Sequence, residues 1–175
     1  MRKLIVYLGL VMLALVVAGL YGAIHNQISY TVSPEYFTTF KFIQFNLTDD
    51  SIPERVRASM IGFLASWWMG FPIGIVAGLI GFIQRGYRRM FQISLEAMGV
   101  AVGFTLLFGL FGLFYGFIQT SNIDTGEYGW WYIPGNVTNL RRFLCAGYMH
   151  NSAYLGGVLS IPVAWVYQII RRLRD

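Results

Sequence analysis

Charge is scarce in this chain. Of 175 residues, 12% are Asp, Glu, Lys or Arg and 56% are hydrophobic, whereas soluble domains carry about 25% charged residues. The net charge of +5 does not point to nucleic acid, because the basic residues gather at the ends of apolar runs, where anionic lipid head groups account for them. A single cysteine, Cys145, excludes an intramolecular disulfide and any CxxC redox or zinc motif. Catalytic signatures are missing as well: no HExxH, GxSxG, P-loop or GxGxxG context occurs, and no Ser or Cys comes with a plausible base in a motif of that kind. The chain therefore names no reaction.

What charge there is has a pattern. Arg2 and Lys3 open the chain, Arg85, Arg88 and Arg89 lie in the middle, and Arg171, Arg172 and Arg174 close it. The stretches between them reach the roughly 20 apolar residues needed to cross a bilayer. They predict spans at about 4–24, 58–83, 91–118 and 140–170, with outer connections 25–57 and 119–139. The positive-inside bias puts both termini and the central turn in the cytoplasm. The expected fold is an all-α integral membrane protein, residues 1–175 forming one domain: a four-transmembrane-helix bundle with short helical or extended segments on its outer face. The first span imitates a secretory signal peptide, but Tyr21 at the minus-three position weakens cleavage after Ala23, although Val17-Ala18-Gly19 is acceptable. We expect it to stay as an anchor.

Small residues recur at intervals of four in the second span, at Gly62, Ser66, Gly70, Gly74 and Gly78. That spacing stacks them on one helix face and predicts close packing, with the third span as expected neighbour. Gly99, Gly103, Gly112 and Gly116 extend the theme into the third span. Helices packed this tightly are expected to leave little room for a transport pathway.

The outer connections hold most of the remaining polarity. Ser33-Pro34-Glu35 is a helix start, although the alternation of Phe40, Phe42 and Phe45 with polar residues fits an extended stretch equally well. Asp50-Ser51-Ile52-Pro53-Glu54 is a second start. Trp130, Trp131 and Tyr132 read as an interfacial aromatic belt or as a surface for a partner or an apolar ligand. Arg141 and Arg142 are expected to pair with Glu35, Glu54, Asp49 or Asp50, tying the connections together. The triplets Asn46-Leu47-Thr48 and Asn136-Val137-Thr138 are sequons. The strings HNQISYTVSPEYFTTFKF and GYMHNSAYLGG resemble a group of small bacterial multipass proteins described only as carrying a signal peptide. The resemblance implies a bacterial inner membrane and no particular activity.

Candidate chemistry rests on two histidines. His25 lies 22 residues after Lys3 and His150 lies 21 before Arg171, about 33 and 32 Å by helical rise. Level imidazoles on two helices are what a bis-histidine haem, or a copper or zinc ion, would need. Glu35 is a third candidate ligand, with Tyr30, Tyr148 or Tyr154 as hydrogen-bonding support. The alternative is that both histidines merely hydrogen-bond at the interface. Glu96, the one acid well inside a span, reads as a proton or cation site or as an ion-pair partner of Arg88 and Arg89. Two functions follow: a non-enzymatic scaffold, accessory subunit or assembly partner, bound to lipid and to a membrane protein or a second copy; or a metal- or haem-binding protein working in electron transfer or oxidation.

Overall fold

The computed structural model describes residues 1–122, 128–129 and 131–174, and within them it is all helical. We label the helices α1 (Arg2–Val32), α2 (wound as a π-helix over Tyr36–Lys41 and as an α-helix over Phe42–Gln44), α3 (Glu54–Ile83), α4 (Gly86–Gln119) and α5 (Leu140–Leu173). Four of them, α1, α3, α4 and α5, are long and apolar enough to cross a membrane. Trp130 lies outside the described residues.

The basic clusters meet at one end. Lys3 Nζ donates to the carbonyls of Phe82 (2.8 Å) and Gln84 (2.7 Å), and Arg172 Nε donates to that of Ile83 (2.9 Å). The start of α1, the end of α5 and the α3–α4 turn therefore share one face of the bundle, and the two long connections share the other. Gly86, with φ +81°, makes that turn in a conformation that suits glycine.

α1 runs two turns beyond its expected end. Its polar residues there are satisfied sideways: Asn26 Nδ2 donates to the Ala58 carbonyl (2.9 Å), and Gln27 Nε2 to Ser59 Oγ (2.7 Å) and the Arg55 carbonyl (2.9 Å). With partners on α3, nothing ends the helix until Ser33, whose following proline disfavours further helical backbone. The next helix starts at once, as the Tyr36 amide donates to Ser33 Oγ (3.2 Å). The alternating phenylalanines do not form a strand. Phe37 and Phe42 are buried with Tyr36 against Ala58, Ile61, Phe143 and Ala146, so an apolar cap on the loop end draws α2 into helix. α2 stops in a Schellman motif, with Asn46 at φ 53° and Leu47 N donating to the Phe42 carbonyl (2.8 Å).

The small-residue stripe of α3 is a packing face, but its partner is α1 rather than the third span. A methyl added at Gly62 would land on the Gly22 carbonyl, and one at Gly70 on that of Ala14. At Gly74 it would sit 2.8 Å from Ala14 Cβ, and at Gly78 3.1 Å from the Tyr7 ring. On α4, Gly112 and Gly116 pack against Ser152 and Tyr148 of α5, whereas Gly99 and Gly103 face open space and hold no helix. The bundle is thus two tight pairs, α1 with α3 and α4 with α5, joined more loosely to each other. Its outside is apolar: Leu4, Leu8, Met12, Val16, Leu20 and Ile24, four residues apart, form an exposed stripe along α1.

Two electrostatic expectations change partners. Glu96 pairs with Arg171 of α5 (2.7 Å) and accepts from Tyr167 Oη (2.9 Å), rather than pairing with Arg88 and Arg89 about two turns before it. A cross-helix arginine near the basic end reaches it with its long stem. The two connections are indeed tied, but through Glu35 and the start of α5. The Glu35 carboxylate accepts from the Thr138 hydroxyl, the Thr138 amide (3.1 Å) and the Asn139 amide (2.8 Å). These bonds at a helix N-terminus favour the anion and lower its pKa. Arg141 instead reaches the Phe117 carbonyl (3.1 Å).

Candidate functional site: a histidine pair at the head of an interior cavity

His25 and His150 converge. Their ring centroids lie 4.8 Å apart, edge to face at 80°, so equal depth on α1 and α5 does become contact. His150 Nε2 is 3.1 Å from Ser29 Oγ, one helical turn beyond His25. Tyr36 stacks on His150 from the loop side at 5.0 Å and 25°, with Phe37 at 6.2 Å. The π-wound α2 therefore roofs the pair. His25 itself is 3% exposed.

Below the pair lies a cavity of about 150 Å³ between the two helix pairs, partly open to the outside of the bundle. The volume is roughly ten times what one water needs. α1 contributes Leu10, Ala14, Val17 and Tyr21, α3 Ile73 and Ala77, α4 Ala97, Ala101 and Thr105, and α5 Ala153, Gly157 and Ala164. From His150 to Gln168 the wall of α5 rises 18 residues, about 27 Å. The expectation of a bundle with little room is thus corrected: the glycines close the gap within each pair and leave one between pairs. At the basic end the cavity is stopped by a polar knot, in which Gln168 Oε1 accepts from Ser94 Oγ (3.0 Å) and Gln84 Nε2 donates to the Gln168 carbonyl (3.0 Å).

Two polar atoms on the cavity wall are buried without a hydrogen-bond partner among the described residues: Tyr21 Oη and His25 Nε2. An unmade bond of this kind costs about 1–3 kcal/mol. The two side chains are one turn apart on α1 with ring centroids at 5.7 Å. The wall can therefore offer a hydroxyl and an imidazole nitrogen to a molecule lying against it.

The structure does not assemble the three-ligand metal set. Glu35 is committed to Thr138 and Asn139, and no group of three His, Cys, Asp or Glu able to hold a metal occurs among the described residues. An iron ligated from both faces needs two nitrogens each about 2 Å away. Rings whose centres are 4.8 Å apart and edge-on leave no space for a macrocycle between them. Of the expected supporting tyrosines, Tyr154 lines the cavity, Tyr30 donates to Glu54, and Tyr148 packs on Trp131 and Tyr115. Trp131 is turned inward over Gly147 and Tyr128 is buried against it, which leaves Tyr132 exposed.

Tyr21 was missed at the sequence level, although its spacing of four from His25 puts the two on one face of a helix. Comparison with protein-family models, curated proteins and solved structures found no match.

Proposed function

We propose that this chain crosses a bacterial inner membrane four times, with its termini cytoplasmic, and holds an apolar molecule bearing a hydrogen-bonding group inside its bundle. It would act there as a non-enzymatic membrane subunit, with a ligand rather than an aromatic surface at its centre. The observation that carries the reading is the pair of unpartnered polar atoms, Tyr21 Oη and His25 Nε2, on the wall of a mostly apolar cavity. A carbonyl or hydroxyl on the ligand would satisfy them. The cavity's length is close to the roughly 30 Å of a hydrocarbon core, which suits one long chain. The bilayer setting is supported by the exposed apolar stripe on α1 and by the gathering of Lys3, Arg172 and the α3–α4 turn at one end.

Protein purified in mild detergent is expected to yield about one equivalent of an apolar compound on organic extraction, identified by mass spectrometry. An extract holding only detergent and unselected membrane lipid would end this reading. Reporter fusions at either terminus are expected to report the cytoplasm, and an external terminus would reverse the topology.

Convergence of the two imidazoles favours a second reading, a copper or zinc ion shared between them. It needs the Ser29 contact of His150 to give way. Stoichiometric metal by elemental analysis, absent from the His25→Ala/His150→Ala variant, would put this reading first.

A further inference from the structure

On the loop side of the histidines sits a second, more polar chamber of about 210 Å³, walled by residues that include Lys41, Gln44, Trp68, His150 and Tyr154. Asn26, Ala65, His150 and Tyr154 line this vestibule and the interior cavity alike, so the two spaces share a wall at the histidine pair. The vestibule holds a cation with no carboxylate partner among the described residues. Lys41 Nζ donates to Gln44 Oε1 (2.8 Å) and lies over the ring of Phe40 (4.3 Å), with Tyr36 at 5.5 Å. All four carboxylates of the first connection are held elsewhere: Glu35 by Thr138 and Asn139, Asp49 by Ser51, Asp50 by Arg57, and Glu54 by Tyr30. Burial pulls the Lys41 pKa down to about 8, and an anion beside it would reverse that cost.

Resting on the ligand reading above, we propose that this vestibule seats the anionic head group, a phosphate or a carboxylate, of the amphiphile whose apolar chain occupies the cavity. The arrangement is a charged chamber stacked on an uncharged one. Lys41 supplies the point charge, Gln44 and Asn26 supply amides, and the alanine- and glycine-lined space below takes the chain. A lysine with three donors suits an oxoanion approached from several directions. The phenyl face of Phe40 holds the ammonium in place without neutralising it.

The test uses the full chain in detergent, stripped of lipid and offered an equal mixture of phosphatidylglycerol and phosphatidylcholine with identical tails. Unbound lipid is removed by gel filtration and bound lipid counted by mass spectrometry. We expect about one lipid per chain, at least tenfold enriched in phosphatidylglycerol, with Lys41→Met and Lys41→Gln binding both lipids equally and Lys41→Arg keeping the preference. Loss of bound phosphatidylglycerol to added inorganic phosphate would identify a free oxoanion as the natural occupant, and resistance to it a lipid head group. Retention of both lipids without preference, or a preference that survives Lys41→Met, overturns the anion seat and leaves the cavity reading standing. Retention of neither lipid, together with an extract free of any apolar compound, overturns both.

Discussion

Replacing Gly62 with leucine is expected to break the bundle. The Gly62 position meets the Gly22 carbonyl and the Ala23 amide nitrogen, so a side chain there strikes backbone on the facing helix, which cannot swing aside as a rotamer would. Overpacking ordinarily costs about 1–3 kcal/mol. A clash with backbone along the whole α1–α3 seam belongs at or above the top of that range, which corresponds to a melting temperature lower by about 10 °C. Gly74→Leu is expected to cost less, because it meets the Ala14 side chain at 2.8 Å. Gly103→Leu is the control. Its surroundings are open, and its stability should change by no more than about 1 kcal/mol, the size of the helix-propensity gain. A Gly62→Leu protein that melts like the parent would mean that α1 and α3 do not meet through this face.

The second large effect has opposite signs in two measurements. In the double variant Tyr21→Phe/His25→Leu the cavity wall loses both unpartnered polar atoms. Ligand-free protein should then melt at the same temperature or higher, since each orphaned polar group had cost about 1–3 kcal/mol. Retention of the native apolar compound should fall at least tenfold, because its polar group now meets hydrocarbon. Lower stability with unchanged retention would make Tyr21 and His25 ordinary structural residues. Lower retention with a normal melt would place them in the binding wall.

Much of this architecture can be read from the sequence because bilayers impose strict rules. Three basic clusters and four apolar runs were enough to anticipate four long helices with Lys3, Arg172 and the Gln84 turn at one end. The spacing of four from Gly62 to Gly78 marked a contact face, since small residues on one side of a helix invite a neighbour. It could not say which neighbour, because a stripe of glycines presents no chemistry that distinguishes α1 from α4. For Gly99 and Gly103 the spacing along α4 itself argues against a shared face. Nine residues separate Gly103 from Gly112, two and a half turns at 3.6 residues per turn, so the two glycine pairs point in opposite directions and cannot serve one interface.

The histidine site was half legible. Counting residues placed His25 and His150 at one depth, and depth along the helix axis is all that such counting can fix. Rotation about that axis decided that Ser29 would face His150, while Glu35, beyond the end of α1, is held by Thr138 and Asn139. The roof was hidden for a different reason. Phe40, Phe42 and Phe45 show no helical period, and the π winding over Tyr36–Lys41 is chosen by the apolar cap beneath it, which joins residues as far apart as Phe37 and Phe143. The cavity was hidden as well, because it is the space left between two well-packed pairs.

The bonds at the basic end also constrain the order in which the molecule can be put together. The α3–α4 turn offers its carbonyls at Phe82, Ile83 and Gln84, and it receives Lys3 from the first helix and Arg172 from the last, while the Gln84 amide donates to Gln168. A chain delivered to the membrane from its N-terminus reaches the turn with Lys3 already waiting and Arg172 not yet made. The hairpin can therefore be pinned from one side as soon as it emerges, and from the other only when α5 arrives. Arg172 and Gln168 act as the latch of the finished protein, and a chain truncated before α5 would leave the turn half fastened and the cavity without its fourth wall.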